Sequence, residues 1–293
     1  MGVNWYPGHM HKARKKIKEA MPHIDLVIEV LDARIPYSSR NPLVAELRGE
    51  RPCIEILNKS DLADPNATQS WLEYIEREKG VVALPLTSTQ KGQARKLLDL
   101  ARKLFPGRNT ALKPIRTMIM GIPNVGKSTL INALAGKAIA RVGDEPAVTK
   151  QQQQINLDGG IMLFDTPGIL WPRMHEEDCG YRLAVTGAVK NTAIEYEDIA
   201  LFAAEYLLLA YPSALKERYG LKDLPERDIE LLEALGRKRG CLRAGGRIDL
   251  HKASEILLHD LRSGALGRIS METPELIARQ KAEQAEKEKE QEE

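Results

Sequence analysis

Short apolar runs rich in Val, Ile and Leu recur at 25–31, 53–57, 81–86, 116–120 and 161–164. Such runs, bounded by polar turns, predict strands buried on both faces of a sheet. Between them, 41–48, 69–79, 93–105 and 127–134 read as helices, the second and third with apolar residues at helical spacing. Strand and helix in alternation predict an α/β domain with a mostly parallel sheet. Pro106 to Asn109 and Lys113-Pro114 read as a linker. Beyond Trp171-Pro172 the strand pattern stops, and 181–189, 196–209, 226–235 and 250–261 read as helices. The expected division is an α/β domain over 1–173, opening with a basic segment at 1–24, then an all-helical domain over 174–278. Residues 279–293 are almost wholly Lys, Glu, Gln and Ala, too polar to build a core, and are expected to be an exposed helix or a frayed tail.

A chain of 293 residues with 43% hydrophobic residues has room for two domains and at least one buried core. Cys53, Cys179 and Cys241 are widely spaced and odd in number, so they suggest neither a disulfide framework nor a zinc site. A reducing cytoplasm fits that usage. The start has no apolar signal core, and Tyr6 stands where a myristoylation motif wants Ser or Thr. The most apolar helical run, 199–211, is shorter than the roughly 20 residues of a bilayer span and carries Glu205, so no membrane span is expected. No long apolar heptad seam points to a dimer, and a monomer is the default expectation.

The chemistry begins at Gly121-Ile122-Pro123-Asn124-Val125-Gly126-Lys127-Ser128, a phosphate-binding loop between an expected strand and an expected helix, the context that motif requires. Amides from Val125 to Thr129 at a helix N-terminus bind polyphosphate, Lys127 neutralises the β and γ phosphates, and the Ser128 hydroxyl ligates Mg²⁺. Asp165-Thr166-Pro167-Gly168 closes the run 161–164, which puts Asp165 at a strand end to hold Mg²⁺ directly or through water and the Gly168 amide near a γ-phosphate. Alone, an Asp-x-x-Gly turn is more often a plain β-turn.

Asn58-Lys59-Ser60-Asp61 ends the run 53–57 and separates guanine from adenine. A carboxylate at Asp61 can accept from both N1–H and the 2-amino group of guanine, and adenine offers neither donor there. Asn58 is expected on the base edge and Lys59 along the ring. By itself this tetrapeptide reads equally well as a helix cap and turn.

Together these segments resemble the G motifs of translation-factor-type GTPases, with the fourth motif, Asn58 to Asp61, ahead of the first, Gly121 to Ser128. That order, with Asn4-Trp5-Tyr6-Pro7-Gly8-His9-Met10 and Asp32-Ala33-Arg34-Ile35-Pro36, resembles the circularly permuted ribosome-assembly GTPases of the YlqF/RbgA type. The resemblance implies a permuted P-loop GTPase fold followed by a small helical domain, with GTP, Mg²⁺ and the large ribosomal subunit and its rRNA as ligands. It also places Thr149 as the switch threonine on Mg²⁺ and Ser88-Thr89-Gln90 as the fifth motif, with base contact at Ser88 and Thr89 and Gln90 departing from the usual Ser-Ala-Lys. His9 becomes a catalytic candidate, and Asn124 is similar to the asparagine of potassium-activated GTPases.

Ile169 follows Gly168 where many GTPases keep a water-orienting glutamine, so another group, K⁺ or a partner must do that work, and slow turnover in isolation is expected. Net charge is only +2, but Lys12, Arg14, Lys15, Lys16 and Lys18 crowd one stretch and Arg237, Lys238, Arg239, Arg243 and Arg247 another. Charge runs are usually solvated faces; here they also suit an RNA backbone. No RNA-reading motif with interleaved aromatics is present, which favours backbone and shape recognition over base readout. Two other readings stand beside a GTP-hydrolysing switch: an RNA-binding assembly factor with GTP as a structural cofactor, and an ATP-dependent P-loop enzyme, which would leave Asn58 to Asp61 without work.

Overall fold

The computed structural model describes residues 8–90, 92–108, 112–140, 153–168, 170, 177–189 and 195–292, of which 8–13, 177, 288, 291 and 292 by backbone alone. The described parts of Tyr6–Trp171 and Ser270–Glu293 form one compact unit, and those of Pro172–Ile269 a second.

In the α/β unit the chain runs α1 (Gly8–Ala20), a 3₁₀ turn at Met21–His23, β1 (Leu26–Asp32), α2 (Pro36–Ser39), α3 (Pro42–Arg48), β2 (Cys53–Asn58), α4 (Pro65–Ile75) and β3 (Val81–Leu86). It continues through α5 (Gln93–Leu104), β4 (Ile115–Gly121), α6 (Lys127–Ala135), β5 (Gln153–Leu157) and β6 (Ile161–Asp165). These strands form one six-stranded sheet in the order β3-β2-β1-β4-β6-β5. All neighbours are parallel except β5 with β6. Every residue of the central β1 is buried, as its unbroken apolar run requires of a strand covered on both faces.

Strand β5 is absent from the pattern of apolar runs, and its composition says why. Gln153, Gln154 and Asn156 are exposed and only Ile155 and Leu157 are buried, so this antiparallel edge strand has no apolar run to detect. Helix α4 starts at Pro65 rather than 69 because Asp64 caps it, Oδ1 accepting from the N–H of Asn66 at 2.8 Å and of Ala67 at 3.3 Å.

The helical unit contains α7 (Glu177–Val185), α8 (Tyr196–Ala210), α9 (Pro212–Tyr219), α10 (Asp228–Arg239) and α11 (Leu250–Ser263). Helix α8 is central to it, packing on α7, α10 and α11 with Ile199, Ala200, Ala203, Ala204 and Leu207 buried. Arg262 caps the end of α7 by donating to the carbonyls of Ala184 at 2.7 Å and Val185 at 2.8 Å, a cation at a helix C-terminus. No single helix among the described residues is long and apolar enough to cross a membrane.

The last segment departs from expectation. Residues from Ser270 onward belong to the α/β unit, not to the helical one. They form α12 (Pro274–Glu292), whose Ile277 is buried in the sheet-facing core with Ile17, Met21, Trp71 and Ile75. Ile277, just ahead of the charged stretch, docks the first turn of α12, an anchor that composition does not reveal.

Candidate nucleotide site

Strand order reverses between β1 and β4: the chain builds β2 and β3 outward from one side of β1, then returns to lay β4 on the other. Loops leaving the carboxyl ends of two such strands diverge and open a crevice, the usual ligand site of an open α/β sheet. Every sequence motif that falls in the sheet lies at this edge. Asp32 ends β1, Asn58 ends β2, Ser88 follows β3, Gly121 ends β4 and Asp165 ends β6.

The phosphate loop is shaped by backbone positions that tolerate little else. Gly126 holds a φ of +90°, and a Cβ there would strike the Asn58 amide; a Cβ at Gly121 would lie 2.7 Å from the Val30 carbonyl oxygen. Asn124 is one of two non-glycine residues with positive φ among those described, at 58°; the other is Lys59, at 59°. Both sit in the left-handed region where a side chain is uncommon.

These two positions meet. Lys59 Nζ donates to the carbonyl oxygen of Asn124 at 2.8 Å, and Asn58 Nδ2 donates to that of Val125 at 2.7 Å. Asn58 Oδ1 accepts from the Ser88 N–H at 3.1 Å. The fully buried Asn58 therefore ties the fourth motif to the first and the fifth, a role beyond the base-edge position expected of it from sequence. With two successive loop carbonyls engaged from the base side, the loop is suited to turn its N–H groups toward an anion.

Asp61 is exposed, and its Oδ1 accepts from the Thr87 hydroxyl at 3.2 Å. Ser60 and Thr87 share a further hydroxyl contact at 3.2 Å. Thr87 belongs to none of the sequence motifs; only its place just before Ser88 points to it. Thr89 is exposed beside it.

On the phosphate side, Lys127 Nζ lies 3.0 Å from Asp165 Oδ1, both side chains buried. Burial pushes the Asp165 carboxyl above its ordinary range, against the opposing pull of Lys127. Asp165 Oδ2 is buried with no hydrogen-bond partner among the described residues. A hard oxygen left in that state at a strand end suits a divalent cation or its water, and Ser128 at the start of α6 is the second donor of that kind. Gly168 packs against the loop so closely that a Cβ would sit 3.0 Å from the Pro123 nitrogen. Thr149 and Ile169 lie outside the described residues, as does the side chain of His9, whose backbone is in α1.

A family model described as 50S ribosome-binding GTPase matches residues 116–234, and one described as RsgA GTPase matches 37–174. Ribosome biogenesis GTPase A of Bacillus cereus is 45% identical over 288 residues, covering 96% of this chain and 97% of that protein. The chain belongs to the ribosome biogenesis GTPase A family.

The protein of the same name from Thermotoga maritima is 35% identical, with 94% of this chain and 96% of that one aligned. GDP-bound TM YlqF superposes with a TM-score of 0.65 at 30% identity, covering 89% of this chain and 99% of the other. GNP-bound YlqF from T. maritima gives 0.64 at 30% identity, with 90% and 99% covered. As a member of this family, the chain is a circularly permuted, guanine-nucleotide-binding GTP hydrolase, so neither the ATP-dependent reading nor the purely structural use of GTP stands.

Proposed function

We propose that this GTPase is a cytoplasmic, monomeric switch in maturation of the large ribosomal subunit, binding rRNA and hydrolysing GTP when it meets its target. The observation that carries the reading is the double tie of Asn58 and Lys59 to the carbonyls of Val125 and Asn124, which joins base selection to the phosphate loop. In this reading Asp61 accepts from guanine N1–H and the 2-amino group, with Asn58, Lys59, Ser88 and Thr89 around the base. Lys127 and the amides of Val125 to Thr129 hold the β and γ phosphates. Ser128, Thr149 and Asp165 would hold Mg²⁺, which would offset the negative charge of the phosphates. The Gly168 amide senses the γ-phosphate.

Without a glutamine at Ile169, water orientation falls to His9, to K⁺ at Asn124 or to the subunit, and turnover alone is slow. Turnover that rises when Na⁺ is replaced by K⁺, and loses that rise in Asn124→Ala, assigns the cation to Asn124; equal turnover in both salts removes it.

RNA binding falls to the basic stretches. In the described part of α1 Lys15, Lys16 and Lys18 are exposed while Ile17 is buried, so that part turns its isoleucine inward and its lysines outward. Arg237, Lys238, Arg239, Arg243 and Arg247 are all exposed, around a small bridge between Leu242 and Ile248. Sedimentation with large subunits tests the switch. Co-migration is stronger with a non-hydrolysable GTP analogue than with GDP; equal co-migration with both contradicts it.

A further inference from the structure

Asp32 closes β1 at the point where strand order reverses, and its side chain is almost fully buried. Its Oδ2 accepts from Lys59 Nζ at 2.9 Å and from Arg34 Nη2 at 2.7 Å, while Oδ1 accepts from Arg34 Nε at 2.9 Å and the Arg34 N–H at 3.1 Å. Burial raises this carboxyl, but Arg34 and Lys59 together outweigh burial and hold it well below the usual carboxylate range. Lys59 needs such anchors because its backbone holds a positive φ. Its ammonium is fixed on one side by Asp32 and on the other by the Asn124 carbonyl. Arg34, also buried, feels the charge of Asp61 as well.

The loop carrying Asp32 and Arg34 is pinned by a segment far away in sequence. The Met271 N–H donates to the Arg34 carbonyl oxygen at 2.8 Å. The buried Glu272 carboxylate accepts from the N–H groups of Tyr37 at 2.8 Å and Ser38 at 3.1 Å and from the Ser38 hydroxyl, and its carbonyl accepts from Trp71 Nε1 at 3.0 Å. The Ser270 hydroxyl accepts from the Asp64 N–H at 3.1 Å, three residues beyond Asp61. Both loops of the base side are thus held by the residues that immediately follow Ile269, where the helical unit ends.

We infer that Asp32 and Arg34 are positioning residues for guanine recognition, and that Ser270 to Glu272 hold them, so that base selectivity depends on this segment being docked. The inference rests on the reading that Lys59 and Asp61 meet the base.

The test compares GDP with inosine diphosphate, which lacks the 2-amino group, by equilibrium binding to the full-length protein. Loss of a charge-assisted hydrogen bond corresponds to about a tenfold change. Asp32→Asn and Glu272→Ala are each expected to shrink the preference for GDP by about that factor, with inosine diphosphate, which keeps N1–H and the ring face, weakened less than GDP. Glu272→Gln, which keeps an acceptor oxygen, recovers most of the preference. Arg34→Lys supplies the same readout if Glu272→Ala does not fold. A merely structural brace would weaken both nucleotides in parallel, and an unchanged ratio in Asp32→Asn and Arg34→Lys overturns the inference. Asp61→Asn separates the underlying reading: it must exchange guanine for xanthine preference, and if it does not, the base assignment itself fails.

Discussion

Lys127 Nζ and Asp165 Oδ1 are 3.0 Å apart at the buried end of the phosphate loop. The loop lysine and the candidate metal ligand therefore compensate each other within the fold, and removing one leaves the other buried without its partner. Lys127→Ala is expected to cost on the order of 3 kcal/mol of stability and to lower GTP turnover about a hundredfold or more. The double variant Lys127→Ala/Asp165→Asn should regain part of the stability and none of the turnover. Denaturant titrations paired with phosphate-release assays give both numbers; additive losses in the double variant would contradict the coupling.

Gly126 has no room for a methyl group, since its φ is +90° and the Asn58 amide stands where a Cβ would go. Gly126→Ala should push Asn58 off the Val125 carbonyl and raise the GDP dissociation constant by about tenfold or more, with the helical unit still folded by circular dichroism. Calorimetric GDP binding at wild-type affinity would show that the Asn58 tie does not matter to the site.

A buried acid pair lies in the sheet, where Glu29 and Glu55 are cross-strand neighbours on β1 and β2. Burial, with Glu55 adding to it, pushes Glu29 up from 4.5 to about 8. The neutral form is thus bound more tightly by the fold than by the unfolded chain, so this contribution is complete below pH 4.5, falls as pH rises toward 8, and is spent above it. Glu29→Gln keeps the oxygen that accepts from the Asn41 N–H at 2.8 Å and removes the titration. Its stability should be flatter than wild type between pH 5 and 8, about 1 kcal/mol or more higher at pH 8. Parallel curves for the two proteins would assign the pH dependence elsewhere.

On the helical unit, Arg237 pairs with Glu233 at 3.0 Å and Arg243 with Asp249 at 2.9 Å, both exposed arrangements of little weight for folding. These cations can exchange their partners for phosphates. Lys238→Glu with Arg247→Glu should leave thermal unfolding unchanged and weaken binding to large subunits, flattening the salt dependence by about one unit of slope for each phosphate no longer neutralised. Unaltered binding across a salt series would remove this surface from the RNA interface.

How much of this was legible follows from where each signal sits. The strands β1 to β4 and β6 announce themselves as apolar runs, β1 and β2 because both of their faces are buried, and the motifs are readable because phosphate and guanine impose contiguous spacing. Edge strand β5 has two glutamines and an asparagine among its five residues and gives no such signal. Asn58 could be named but not placed: that its amide would be spent on Val125 and Ser88 depends on strand order, which fixes which loops become neighbours. Asp32 and Arg34 were visible only as part of a family-like string, and Glu272 carried no signal, because their partners come from distant parts of the chain.

A ribosome-triggered GTPase is tested most directly by GTP turnover measured with and without large ribosomal subunits, for the wild-type chain and for Lys127→Ala. The expected result is slow hydrolysis alone, stimulation on the order of tenfold or more by subunits, and no stimulation in the variant. Turnover that subunits leave unchanged would contradict a GTPase triggered by its ribosomal target.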